Sequence, residues 1–155
     1  MKAEIFYQPP NDFNINLVTA GCFCEVENCF LILKRSSSKP QGQTWNVPGG
    51  KLEAGETPRI AVIREVWEEA GIDIDSKDLC EIGTLYMRLP KVDYVFHVFH
   101  IRFLQIPSVD LNLNEHDVAK WVTVQQALKL PMILGGVEAI QVFESYSANF
   151  KGRTS

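Results

Sequence analysis

The chain has 155 residues, of which 46% are hydrophobic and 22% charged, with a formal net charge of -4. That balance suits one soluble globular domain over residues 1–155 and excludes disordered and fibrous classes. It also lacks the basic footprint of a duplex nucleic-acid binder, although a bound cation would still let an acidic chain take a nucleotide.

Residues 1–14 carry Lys2, Glu4, Pro9, Pro10 and Asp12, so they hold no signal-peptide core. Nothing nears the roughly 18 apolar residues that a membrane span requires. A cytoplasmic location with no membrane partner is therefore expected. Its four cysteines, Cys22, Cys24, Cys29 and Cys80, would be reduced there. Their spacing lacks a paired C-x-x-C knuckle, and buried structural thiols are expected.

Residues 16–26 are rich in β-formers, and a turn at Glu27-Asn28 leads to the apolar run 29–33, so a strand pair opens the domain. Residues 35–43 form a polar loop, and 45–55 are extended and punctuated by glycine. A helix follows: Thr57 suits the N-cap, Pro58 the first helical position and Gly71 the C-terminal stop. Ile60, Ile63, Trp67 and Ala70 recur at helical spacing and predict the buried stripe. Two strands are expected at 79–89 and 93–105 around Pro90-Lys91, and a short one at 118–123. Helical patterns cover 124–130 and 136–149. Strands and helices mixed without strict alternation predict an α/β sandwich with a mixed sheet.

The helix also carries the chemistry. Glu65, Glu68 and Glu69 lie at i, i+3 and i+4, so their carboxylates share one side and repel. They sit in the last turns, where the helix dipole is already negative. Each term opposes the arrangement by a few tenths of a kcal/mol to about one kcal/mol. Arg64 offsets only part of this. A solvated acidic face is the ordinary explanation of such a cluster. A hard divalent cation is the alternative, since magnesium takes carboxylate oxygens with waters and substrate phosphates.

The wider spacing favours the cation. From Gly50 the chain reads Gly50, five residues, Glu56, seven residues, Arg64-Glu65-Val66, one residue, Glu68-Glu69, one residue, Gly71-Ile72. This resembles the signature of the Nudix hydrolases (the MutT-like superfamily) at every defined position. At roughly 7% per residue type, its seven fixed identities would arise by chance in any window of this chain about once in a million.

The resemblance implies a Nudix-type α/β/α sandwich with a mixed β-sheet. It also implies hydrolysis of the diphosphate linkage in a nucleoside diphosphate derivative, with Mg2+ or Mn2+ as cofactor. Glu65, Glu68 and Glu69 match the metal-ligand positions, and Glu69 also stands among the catalytic positions. Glu56 matches the glutamate that pairs with the box arginine, Arg64. Gly49 and Gly50 match the tight turn that folds the loop against the helix. Glu115, ahead of Trp121, resembles a downstream metal-binding or basic glutamate of many relatives. Arg35 is a candidate phosphate contact and Trp45 a candidate base contact.

His97 and His100, three apart on a strand, face opposite ways and make no common metal site. Tyr94, Phe96 and Phe99 read as core. Pro90 stands near, but off, the place where relatives acting on ADP-ribose carry a proline. A nucleoside triphosphate is therefore the favoured substrate, with ADP-ribose or a nucleotide sugar next. Two other readings share the fold: a nucleotide-sensing module without catalysis, and an isoprenoid diphosphate isomerase, which needs a catalytic cysteine. Many relatives are dimers, so a homodimer is the assembly that the resemblance allows.

Overall fold

The computed structural model describes residues 3–154. Eight strands share one sheet: β1 (Glu4–Phe6), β2 (Ile15–Val26), β3 (Cys29–Arg35), β4 (Trp45–Asn46), β5 (Gly49–Lys51), β6 (Cys80–Leu89), β7 (Val92–Phe103) and β8 (His116–Val122). Their order is β1-β6-β7-β2-β3-β4, with β5 beside β2 and β8 beside β3. The long pairing of β2 with β7 is parallel and the remaining pairings are antiparallel, so the sheet is mixed.

Helix α1 (Pro58–Ala70) covers one face; α2 (Val124–Ala127) and α3 (Gly136–Thr154) cover the other. Alternation along β3 explains why both faces are dry. Leu31 and Leu33 join Cys22, Cys24, Val62 and Val66 beneath α1, while Phe30 and Ile32 join Phe23, Ile140 and Phe143 beneath α3. Buried on both faces, the strand reads as a continuous apolar run. The α/β/α sandwich is the architecture that the sequence implied. No helix among the described residues is long and apolar enough to cross a membrane.

Local signals place α1 well. Thr57 accepts from the Ile60 amide, Pro58 opens the helix, and Gly71 closes it in the left-handed region at φ 66°. Half of the expected stripe holds, since Ala70 is buried and Ile63 packs against the core, and the other half does not. Ile60 and Trp67 are 54% and 58% exposed, and the sheet is met by Val62, Val66 and Ala70. Apolar residues occur nearly all round this helix, so two stripes fit the 3.6 period. The observed one brings small and medium side chains against β2 and carries Glu69 inward with them.

The cysteines also divide. Cys22 and Cys24 are buried, Cys29 is half-buried and Cys80 is exposed, since Cys80 opens the outer strand β6. The short β1, which pairs with β6, falls outside the sequence reading because three residues carry too little alternation to stand out.

Candidate active site

β5 runs antiparallel to the middle of β2, with Ala20 opposite Gly50 and Gly21 opposite Gly49. The close approach needs glycine at both β5 positions. A Cβ on Gly49 would overlap the Ala20 carbonyl oxygen and stand 2.6 Å from Gly21 Cα. On Gly50 it would stand 2.6 Å from Cδ and Oε1 of Glu65. The vacancy of a side chain at Gly50 is the space that the Glu65 carboxylate fills.

Arg64 ties the loop 52–57 to the helix. Its Nε and Nη2 donate to Glu56 Oε2 and Oε1, both at 2.8 Å, in a two-pronged pair. Nη1 donates to Glu65 Oε1 at 2.9 Å and to Glu68 Oε2 at 3.1 Å, and Nη2 reaches the Lys51 carbonyl at 3.1 Å. Glu56 in turn accepts from the Glu53 amide at 2.7 Å. The Arg64 hydrogen bonds, followed by that amide, hold the Glu56 carboxyl down at about 2. The guanidinium itself is shifted upward, chiefly by Glu56.

Glu69 is only 4% exposed. Burial foremost, then the hydrogen bond and charge of Glu65, and then the charge of Glu115, push its carboxyl up; the Gly49 amide pulls the other way. That amide lies 3.4 Å from Glu69 Oε2. Nε2 of His116 lies 4.0 Å from the same oxygen. His116 is buried, which lowers its affinity for a proton.

The expected acidic trio is thus divided. Glu65 and Glu69 stand together beside Gly49 and Gly50, while Glu68 is half-exposed and drawn to Arg64. Among the described residues no three acidic, histidine or cysteine side chains form a ready metal cage. Magnesium does not demand one, since it usually keeps waters and takes one or two carboxylates together with substrate phosphates. Two carboxyl groups packed into a glycine cradle, one of them buried, are a donor set that fits such an ion.

Next to the cradle lies a cavity of about 250 Å³. Gly49, Gly50, Lys51 and Arg35 border it, Tyr94, Phe96 and Met87 form an apolar wall, and Ile133 and Leu134 face them. Asn46 and Gln41 add polar groups. Arg35 borders the cavity, and its Nε donates to the Pro40 carbonyl.

Trp45 is a correction. It is 4% exposed, packs in the core with Phe30 and Ile32, and carries Lys120 over its ring at 5.4 Å. The reason is register: Trp45 pairs with Lys34 and is pinned by backbone bonds to Pro131 and Ile133, which hold its ring inside. Tyr94 and Phe96, read as core, do belong to it and also line the cavity. No local motif marks that second role, because strand period alone does not separate a core face from a cavity wall. His97 and His100 make separate contacts, with Glu81 at 2.6 Å and Glu25 at 2.8 Å.

Residues 16–143 match the NUDIX domain family. The phosphatase NudJ of Escherichia coli K12 is 26% identical over 140 residues, covering 87% of this chain and 90% of that protein. The 8-oxo-dGTP diphosphatase of Proteus vulgaris is 44% identical over 57 residues, covering 37% of this chain and 51% of that protein. The crystal structure of the MutT protein from Methanosarcina mazei Go1 superposes with a TM-score of 0.72 at 25% identity, over 84% of this chain and 94% of that one.

Proposed function

The chain belongs to the Nudix family and is a pyrophosphohydrolase of nucleoside diphosphate derivatives, and from that premise we propose that it acts on a nucleoside triphosphate with Mg2+ or Mn2+. The observation that carries this reading is the aromatic-walled cavity bordering Gly49 and Gly50. At about 250 Å³ it lies below the roughly 300–1,000 Å³ of drug-sized sites and suits one base. The name of the Proteus relative, an 8-oxo-dGTP diphosphatase, favours a triphosphate in the same direction. ADP-ribose or a nucleotide sugar, each with one adenine-sized or similar base, is the second reading.

In this reading Phe96 and Tyr94 flank the base, and Lys51 and Arg35 draw the phosphates toward the cradle. Glu65, Glu68 and Glu69 are the carboxylates that would hold the cation. A bound divalent cation supplies Lewis-acid stabilisation of charge developing on the phosphate oxygens. Arg64 locks Glu56, so the loop stays closed on the helix and Glu65 keeps its place under Gly50. We assign to Glu69, which feels the charge of Glu115, the role of taking the proton of the attacking water. None of the four cysteines lines the cavity, which weighs against cysteine-dependent isomerisation. All the box carboxylates are present, which weighs against a silent sensor.

The test is a panel of nucleoside triphosphates, 8-oxo-dGTP, ADP-ribose and nucleotide sugars with magnesium, read by released phosphate or pyrophosphate. Turnover of a triphosphate to monophosphate and pyrophosphate, abolished by chelator, is expected. Undiminished turnover in excess chelator refutes the metal requirement, and a preference for ADP-ribose refutes the substrate.

A further inference from the structure

The first residue of β8 is built into the site from behind. The pairing of β3 with β8 shifts register between Lys34 and Arg35, and Arg35 then stands opposite His116. The shift leaves Glu115 and Asp117 exposed and turns His116 inward, to 4% exposure. The segment leading to it is clamped on the end of α1: the Asp110 amide donates to the Ala70 carbonyl at 2.8 Å and the Asn112 amide to the Glu69 carbonyl at 2.9 Å. The His116 amide closes the turn onto the Asn112 carbonyl at 3.1 Å. Backbone contacts thus set His116 in fixed relation to Glu69.

Two features of the imidazole call for a role. Its Nδ1 is buried with no hydrogen-bond partner among the described residues, and such groups are uncommon because each costs free energy. Its Nε2 lies 4.0 Å from Glu69 Oε2, an oxygen that the Gly49 amide reaches only at a long 3.4 Å. Neither of these two contacts is short. A ring proton is more favourable facing a carboxylate than facing nothing, which puts it on Nε2 and leaves Nδ1 a bare acceptor.

We propose that His116 is a positioning residue for Glu69: its Nε2–H, set by the β3–β8 register shift, faces Glu69 Oε2 across 4.0 Å and, by dipole attraction at a distance beyond a direct hydrogen bond, biases the carboxylate toward Glu65 and the cavity. The proposal rests on the reading of Glu69 as a working carboxylate. It differs from a space-filling role, in which ring volume alone would matter.

The experiment compares His116→Gln, whose amide nitrogen reaches the Nε2 position, with His116→Asn, whose amide stops at the Nδ1 position, and His116→Phe, which keeps a ring without a donor. Each is measured for kcat, KM, the magnesium concentration giving half-maximal rate, and melting temperature without metal. Expected are losses in kcat of about 10- to 100-fold for the Asn and Phe variants, the range for partners that orient metal-binding side chains. KM should stay within about twofold and the magnesium requirement should rise, while His116→Gln recovers most of the rate. The double variant of Glu69→Gln with His116→Asn should be no slower than Glu69→Gln alone, because the two residues act as one unit.

Equal rates for Gln and Asn, or a folded Phe variant within about threefold of the parent, overturn the proposal. So do penalties that multiply in the double variant. If Phe does not fold, the Gln and Asn pair decides alone. Full activity in Glu69→Gln itself would instead refute the reading of Glu69, a distinguishable result.

Discussion

Gly50→Ala tests whether the glycine turn exists to seat a carboxylate. The added Cβ would stand 2.6 Å from Glu65 Cδ and Oε1 and 2.9 Å from Oε2. Carbon contacts settle at about 3.5–4.0 Å, so the carboxylate must move by roughly 1 Å. A displacement of that size costs about 100-fold in rate, or about 2.7 kcal/mol of barrier. Folding should suffer little. The obstacle is the end of a side chain, so the overpacking cost sits near the low end of about 1–3 kcal/mol. Replacing glycine returns about 0.4–1 kcal/mol by restricting the unfolded chain.

Gly55→Ala is the matched control. Its φ is +81° and nothing lies within 4 Å of an added Cβ, so strain of about 1–2 kcal/mol arises with no push on the site. For a chain of this size that lowers the melting temperature by a few degrees, about 2–4 °C per kcal/mol. Turnover at saturating substrate and magnesium, with thermal melts, should therefore separate the two: Gly50→Ala slow but stable, Gly55→Ala less stable but active. A Gly50→Ala enzyme with the parent's kcat would show that Glu65 can shift without consequence, and the seating argument would be wrong.

Arg64→Ala should lower both melting temperature and activity, since it removes the two-pronged pair with Glu56 together with the contacts to Glu65 and Lys51; a shift under about 2 °C with and without magnesium would leave the lock unsupported. Glu69→Gln should cut the rate by on the order of 100-fold. Its melting temperature without metal should match or exceed the parent's near neutral pH, because burial and Glu65 disfavour the charged form that the substitution removes; a fall in stability that accounts for the lost rate would refute the assignment. Away from the site, Asp93 accepts from Arg88 at 2.8 and 2.9 Å and from the Asn14 amide, and its carboxyl is lowered from 3.8 to about 2, chiefly by Arg88. A lowered carboxyl stabilises above its unfolded value, so the melting-temperature deficit of Asp93→Asn should be full above about pH 4 and close as pH falls toward 2. A deficit that is constant across that window would show that shape, not charge, is what Asp93 contributes.

What the sequence made legible follows from how local each feature is. Gly50, Glu56, Arg64, Glu65 and Glu69 lie on one loop and one helix, so their spacing maps directly onto shared position, and the structure brings them together. The cavity wall is different. Tyr94, Phe96 and Met87 reach it only because β7 pairs with β2 in parallel and with β6 in antiparallel, and Ile133 and Leu134 come from a distant connection. Pairings of that range leave no mark in local periodicity.

The rotation of α1 shows the same limit from another side. Ile60 and Trp67 are the larger apolar residues, yet the sheet takes Val62, Val66 and Ala70. Choosing the larger stripe would have carried Glu69 outward, away from Gly49 and His116. The helix face is therefore decided jointly by packing and by the carboxylate it must bury, and an exposed tryptophan is the visible result. His116 repeats the lesson on a strand. Simple alternation does not say whether Glu115 or His116 turns inward, and the register shift beside Arg35 decides it. The residues that adjust this site lie where regular periodicity is interrupted, and those interruptions become readable only once the strands are paired.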